Sequence, residues 1–269
     1  VMRIPFTKMH GLGNDFIMLD GRSNSLPDLT SAVAAALANR HTGIGCDQLI
    51  VLEPSNTADF AMRIFNADGG EVEACGNASR AVALLHGAQA RVETSGGIIE
   101  LSPTKGGARV DMGPPRFDWD AIPLDYPMDT SAMPVSWDDL DTPAAVNVGN
   151  PHVIFFVRDS EAVPLDRLGP IIEHDPLFPE RINVNVADIR DGTIHLRVWE
   201  RGVGLTKACG TGACATAVAA IRQGLVASPA TVRLPGGVLT IEWEAGSSII
   251  MEGPATESYR GSFEWDDYA

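Results

Sequence analysis

Residues 197–224 read RVWERGVGLTKACGTGACATAVAAIRQG. The first residues alternate and are β-branched or aromatic, the pattern of a strand. Gly202, Val203 and Gly204 then form a turn, and an apolar, Ala-rich segment follows that reads as a buried helix. Cys209 falls where that helix should begin. Gly210, Thr211 and Gly212 come next and leave backbone N–H groups free at the helix start. A thiol at this point feels the positive end of the helix dipole, which favours its thiolate.

The chain carries this arrangement twice. RIFNADGGEVEACGN, residues 63–77, aligns without a gap on RVWERGVGLTKACGT, residues 197–211, at a constant offset of 134. Arg63 meets Arg197, Phe65 meets Trp199, Gly70 meets Gly204, and Ala74-Cys75-Gly76 meets Ala208-Cys209-Gly210. Gly13-Asn14 recurs as Gly149-Asn150 at an offset of 136, and Gly113-Pro114 as Gly253-Pro254 at 140. Offsets that keep their order and drift by a few residues imply two halves with one fold. Each half puts one Cys-Gly at a helix N-terminus.

With 269 residues the chain is long enough for two domains. No apolar run is long enough to span a bilayer, and the start, VMRIPFTKMHG, lacks a signal peptide's apolar core. Met2 reads as the natural start, Val1 as an expression scar, and the cytoplasm as the expected location. A formal charge of −15 argues against nucleic acid and anionic membrane surfaces, which call for basic patches. The four cysteines, Cys46, Cys75, Cys209 and Cys214, are too few for a disulfide scaffold and include no CxxC pair. Cys209 and Cys214 point to different sides of a helix, which speaks against a metal site. Cys214 and Cys46 read as small buried hydrophobes.

In chain order, residues 6–20 read as strand, Gly-rich turn and strand, with Asn14 in the turn. A helix over 31–39 and strands over 47–53 and 61–65 follow, then a helix over 76–86. Residues 91–112 hold two or three strands. The pattern dissolves over 114–143, a stretch with six prolines and seven aspartates, which reads as a domain boundary. The second half opens with two strands around Gly149-Asn150-Pro151. A short helix over 165–173 and strands over 181–189 and 193–199 lead to the helix after Cys209. Residues 231–251 are strand-rich, and the charged C-terminus is expected to fray.

Two halves related by a pseudo-twofold would present their two thiols to each other. Acid–base groups on opposite sides of one carbon can invert it: one takes a proton as thiolate, the other delivers one as thiol. Converging helix N-termini suit a carboxylate and the negative charge that grows as Cα loses its proton. The constellation fits racemisation of an α-carboxylate without metal or cofactor. One Ala-Cys-Gly alone is as well explained by a buried cysteine beside a turn; two copies in register are not.

MHGLGNDF, NADGGEVEACGN, GNPH, RIN, ERG and ACGTGA, in this order along nearly the whole chain, strongly resemble diaminopimelate epimerase. The resemblance implies a mixed α/β fold of two pseudo-symmetric domains, each a curved β-sheet wrapped around a central α-helix. The expected halves are residues 1–117 and 118–255, with 256–269 returning to the N-terminal half. It further implies interconversion of L,L- and meso-diaminopimelate by two cysteines without pyridoxal phosphate, for lysine and peptidoglycan synthesis. A homodimer stays open.

Carried over by motif, Cys75 and Cys209 are the two bases. Gly76, Asn77, Gly210 and Thr211 supply N–H groups around the reacting carboxylate. Asn14, Gln48, Asn66, Asn150, Asn183, Glu200 and Arg201 line the substrate pocket, with Arg201 expected to grip the distal carboxylate. His152 and Glu200 are the candidates for assisting the thiols; His10, His41, His86, His174 and His195 read as structural. The family commonly has GNGAR where this chain has residues 76–80 as GNASR, and GAGET where residues 202–206 are GVGLT. Ala78 is expected to cost backbone freedom, and Leu205 to remove a carboxylate near the second thiol.

Three other readings compete. A proline or hydroxyproline racemase shares the two thiols but has no distal ammonium and carboxylate to bind, which the ERG segment and the asparagine set favour. A small-molecule sensor on this scaffold would not need both thiols. A thiol redox protein pairing Cys75 with Cys209 would lack an attacking CxxC.

Overall fold

The computed structural model describes residues 2–73 and 75–269; Val1 and Ala74, the latter opening the first Ala-Cys-Gly, lie outside the described residues. Two compact units emerge: Val1–Val110 with Gly253–Ala269, and Asp111–Glu252.

In the first unit, β1 (Arg3–Gly11) and β2 (Asn14–Asp20) form a hairpin. Leu12 and Gly13 both take positive φ, +58° and +85°, the backbone of a two-residue turn whose twist matches its strands. Asn14 therefore opens β2, opposite Gly11, instead of sitting in the turn. Helix α1 (Ser31–Ala38) starts at Thr30, whose hydroxyl accepts from the Val33 N–H. Then come β3 (Gln48–Glu53), β4 (Phe60–Asn66), β5 (Glu71–Val72), α2 (Gly76–His86), β6 (Ala90–Thr94), β7 (Gly97–Thr104) and β8 (Gly107–Asp111).

The second unit holds β9 (Ser136–Trp137), β10 (Leu140–Asp141), β11 (Ala144–Asn147), β12 (Pro151–Phe156), α3 (Leu165–Glu173), β13 (Asn183–Arg190) and β14 (Thr193–Glu200). It continues through β15 (Gly204–Thr206), α4 (Gly210–Arg222), β16 (Ala230–Leu234), β17 (Gly237–Glu242) and β18 (Ile250–Pro254). The last strand, β19 (Thr256–Glu264), pairs antiparallel with β1, from Arg3 opposite Glu264 to His10 opposite Thr256.

The repeat seen in the sequence is a repeat of topology. β2 runs parallel to β3 as β12 does to β13. β4 is antiparallel to β3 as β14 is to β13. β4 runs parallel to β6 as β14 does to β16, with Phe60 opposite Val92 and Ile194 opposite Val232. One helix lies inside each sheet. Every residue from Gly76 to Ala83 of α2, and from Gly210 to Ala220 of α4, is buried, as expected of a helix enclosed on all sides. Small residues fill both helices and leave no ordinary amphipathic stripe. The other face of each sheet packs a second core: Val33, Leu37, Leu49 and Phe65 around α1, and Leu168, Ile172, Phe155 and Val184 around α3. Gly169 in α3 lies under the Trp199 indole; a Cβ there would come within 2.5 Å of the ring.

Residues 114–143 lack a period yet are packed. Ile122, Leu124, Met133 and Leu140 join the core of the second unit. Isolated apolar anchors between turns hold this segment, so no helix or strand rhythm marks it. The C-terminus is also held, against the expectation of fraying: Trp265 is buried, its N–H donates to the Met2 carbonyl, and residues Trp265–Asp267 form a 3-10 turn. Among the described residues no helix is long and apolar enough to cross a membrane.

Candidate functional site

In each unit the strand–turn–helix stretch ends on a cysteine that caps the central helix. Cys75 takes φ −148° and ψ 108°, and its sulfur accepts from the Ala78 N–H at 3.4 Å. Cys209 takes φ −130° and ψ 108°, and its sulfur accepts from the Gly212 N–H at 3.3 Å. Extended backbone at a capping residue turns its side chain back over the helix's free N–H groups. A sulfur in that place is solvated by the donors that stabilise its anion.

Around Cys75, an ordered chain of side-chain amides runs between two ions. Arg80 is fully buried, and its Nη2 donates to Asn77 Oδ1 at 2.6 Å. Asn77 Nδ2 donates to Asn14 Oδ1 at 3.1 Å, and Asn14 Nδ2 donates to Asp47 Oδ2 at 3.0 Å. Asn14 Oδ1 also lies 3.8 Å from the Cys75 sulfur, and Gln48 Oε1 lies 3.0 Å from it. Gln48 Nε2 donates across the strand pair to Asn66 Oδ1 at 3.2 Å. So Asn14, Gln48, Asn66 and Asn77 gather around Cys75 with Gly76. Arg40 ties the base of the group, donating to both Asp15 and Asp47. Burial works against the Asp15 charge, but hydrogen bonds from Arg40 and Lys8 hold its carboxyl far below the usual range.

Around Cys209 the same positions carry a different chemistry. The Thr211 hydroxyl lies 3.5 Å from the sulfur and accepts from Asn150 Nδ2 at 3.3 Å. Asn150 Oδ1 accepts from His152 Nε2 at 2.9 Å. His152 Nδ1 in turn accepts from Asn185 Nδ2 at 3.1 Å. His152 is fully buried; that burial, reinforced by the nearby Arg201 charge, pulls its pKa down to about 3. The ring is therefore neutral near pH 7, with both nitrogens engaged. It orients Asn150 and is not a proton acceptor for a thiol.

Asn183, Glu200 and Arg201 meet at the end of β14. Asn183 spends its amide on backbone: Nδ2 donates to the Pro151 carbonyl and Oδ1 accepts from the Arg201 N–H at 2.8 Å. It thereby sets the turn that carries Arg201, whose Nη1 donates to the Glu180 carbonyl at 3.1 Å. Glu200 Oε1 accepts from the Thr206 hydroxyl at 2.6 Å.

The departure at residue 78 resolves differently from expectation. Ala78 is a buried helical residue with no positive φ, so it carries no backbone strain. Its counterpart Gly212 is the constrained position: a Cβ there would lie 2.7 Å from Asn185 Oδ1 and 3.2 Å from the Cys209 sulfur. Leu205 lies exposed on β15.

Sequence reading missed Asp47, Arg80 and Asn185. Arg80 stands four residues into an otherwise small-residue helix, and Asn185 interrupts a β-branched run, NVNVA. A polar residue in such a run signals a buried partner. Cys46 is buried, which pushes its thiol up to about 12, and Cys214 is fully buried inside α4. Among the described residues, no group of three or more His, Cys, Asp and Glu is placed to hold a metal ion.

The family model described as diaminopimelate epimerase matches residues 6–118 and 144–257. The chain is 70% identical over 269 residues to a diaminopimelate epimerase of Erythrobacter litoralis, covering all of both chains. It is 64% identical to one of Rhizorhabdus wittichii, covering 96% of this chain and 94% of the relative. Among solved structures, a phenazine biosynthesis protein of the PhzF family from Enterococcus faecalis superposes with a TM-score of 0.72 at 14% identity, over 98% of this chain and 100% of that one. A probable proline racemase from Agrobacterium radiobacter superposes with a TM-score of 0.68 at 16% identity, over 96% and 92%. Likeness at that identity is a likeness of fold.

Proposed function

The chain belongs to the diaminopimelate epimerase family, and from that premise we propose that it interconverts L,L- and meso-diaminopimelate with Cys75 and Cys209 as its two acid–base groups. One observation carries the reading: a thiol caps the central helix in each half, with matching backbone angles and a matching N–H bond to sulfur. A single reactive cysteine would need no second copy.

The chemistry follows from those caps. One thiolate removes the Cα proton and becomes a thiol. The other thiol gives its proton to the opposite face of Cα and becomes a thiolate. The electron pair left on Cα moves into the carboxylate, whose extra charge is met by the backbone N–H groups of Gly76, Asn77, Gly210 and Thr211 at the two helix starts. Asn14, Gln48 and Asn66 of the first unit and Asn150 with Glu200 of the second are the residues that bind the ammonium and carboxylate groups in this reading. His152 assists through Asn150. Arg201, set by Asn183, grips the distal carboxylate, so one stereocentre stays fixed while the other inverts. The net charge of −15 supports a partner set without nucleic acid or membrane lipid. We place the reaction in the cytoplasm, feeding lysine and peptidoglycan precursors.

Incubating the purified protein with L,L-diaminopimelate and resolving the stereoisomers by chiral separation tests the reading. Meso product should form and approach equilibrium. Turnover of proline with none of diaminopimelate would replace this reading with the racemase.

A further inference from the structure

Glu173 ends α3, in a place that does not suit a negative charge. It is buried, and it stands at the C-terminal end of a helix, where the peptide dipoles turn their negative ends and no basic residue lies in the last turn. A buried acid there needs donors to offset its lost hydration. Three converge on it. The Trp199 indole N–H donates to Oε2 at 2.8 Å, the Gly202 backbone N–H donates to Oε1 at 2.9 Å, and Arg181 Nη1 donates to Oε1 at 3.3 Å.

Those donors belong to the segments that hold Arg201. Gly202 follows Arg201 in the turn between β14 and β15. The Arg201 N–H donates to Asn183 Oδ1, so two successive N–H groups of this turn are held by side chains from outside it, one on β13 and one on α3. Arg181 adjoins Glu180, whose carbonyl accepts from Arg201 Nη1. Arg181 takes φ +61°, a left-handed backbone that arginine rarely adopts, and its ion pair reaches Glu173. Trp199, two residues before Arg201, is seated on Gly169 of the same helix. One side chain thus fixes the strand leading into the turn, the turn's main chain, and the segment that binds the guanidinium. A carboxylate accepts on both oxygens. The amide of Gln would turn its NH₂ toward either the indole N–H or the Gly202 N–H, donor against donor.

We propose that Glu173 is a positioning residue for Arg201: it sets the guanidinium where a distal carboxylate is gripped, and so makes the site select a long dicarboxylate substrate over a short one. Its part is in binding, not in the proton transfer at Cα. The inference rests on the reading in which Arg201 binds the distal carboxylate.

A double-mutant cycle of Glu173→Gln and Arg201→Met, read as kcat/KM for L,L-diaminopimelate, tests the proposal. With Arg201 present, Glu173→Gln should lower kcat/KM about tenfold, within the ~10²-fold that a small misplacement can cost. With Arg201 replaced by Met, the same change should cost less than about twofold, because residues that act through one another are not additive. A role in folding alone would cost the same in both backgrounds. Labelling of the substrate-free protein with phenylglyoxal, followed by peptide mapping, gives a second readout. Arg201 should be modified several-fold faster in Glu173→Gln, while Arg3 keeps its rate. If Glu173→Gln does not fold, Glu173→Asp keeps both oxygens, stops one methylene short of the turn, and should give the same pattern. Equal losses in the two backgrounds, or Arg201 labelling that does not change in the folded variant, would overturn the proposal. An Arg201→Met variant with unchanged kcat/KM would overturn the distal-carboxylate reading and the inference with it; a costly Arg201→Met with additive losses would overturn the inference alone. A wild-type protein that fails to turn over diaminopimelate would overturn the proposed function, and the labelling would still decide whether Glu173 holds Arg201.

Discussion

Asn77 and Thr211 occupy equivalent positions, two residues past the capping cysteines, and each bonds the repeat-equivalent asparagine of its half, Asn14 at the start of β2 or Asn150 just before β12: Asn77 to Asn14 at 3.1 Å, Thr211 to Asn150 at 3.3 Å. In the first pair residue 77 donates; in the second residue 211 accepts. The two thiols therefore share a backbone frame and differ in the side-chain dipoles around them.

Serine in place of either capping cysteine keeps the shape but raises the acid's pKa far above neutrality. Cys75→Ser and Cys209→Ser should each lower epimerase turnover by at least ~10²-fold, the ordinary scale of a lost acid–base group. Cys46→Ser and Cys214→Ser should retain turnover. Steady-state assays of the four variants decide it; near-normal activity in either of the first two contradicts the account.

Arg201 should matter for substrates with a distal carboxylate. Arg201→Met leaves that group unpaired, at a cost of about 2–5 kcal/mol in kcat/KM for L,L-diaminopimelate. Unchanged kcat/KM would remove Arg201 from the site and favour a shorter substrate.

His152 gives the fold a pH dependence with a definite sign. Its folded pKa is about 3 against an ordinary 6.5, because burial opposes the charge. Between those values the unfolded chain binds the proton and the folded one does not, so stability rises with pH there. The contribution is complete above about pH 6.5 and is lost as pH falls toward 3. Denaturant melts at stepped pH should show that slope, and His152→Gln, which cannot titrate, should flatten it. An equal slope in the variant would assign it to other groups.

Gly212 and Ala78 are equivalents that should not tolerate each other's residue equally. A methyl at 212 meets Asn185 Oδ1 at 2.7 Å, so Gly212→Ala should lose about 1–3 kcal/mol, the range for overpacking. Ala78→Gly should lose about 0.5–1 kcal/mol, the helix cost of glycine. Urea titration of both variants checks the order; a neutral Gly212→Ala would mean that Asn185 moves freely.

Much of the fold was legible because local signals agreed with it. Helix α2 runs from Gly76 to His86 and α3 from Leu165 to Glu173, where the small-residue run and the short apolar pattern placed them. The paired cysteines were legible because a gapless repeat is a long-range signal written locally. Residues 114–143 were not, since Ile122 and Met133 are held by distant partners and follow no period. The end of the tail depends on Trp265 finding the β1 strand's start, which its charged neighbours conceal. The roles of Asn183 and Asn185 were the least legible. Both stand two apart on one strand, yet one binds backbone at the Arg201 turn and the other binds His152. Only the elements packed against β13 separate them.

The central claim is that two different groups handle the two faces of one carbon. The most direct measurement is early-time turnover of L,L-diaminopimelate in deuterated water, with deuterium at Cα followed separately in product and in recovered substrate. The account predicts meso product carrying one Cα deuterium while unreacted L,L-diaminopimelate keeps its hydrogen, because the acid that delivers to the far face is exchanged with solvent and the base on the near face holds the substrate's own proton. Deuterium entering recovered substrate as fast as product, or meso product without deuterium, would contradict it.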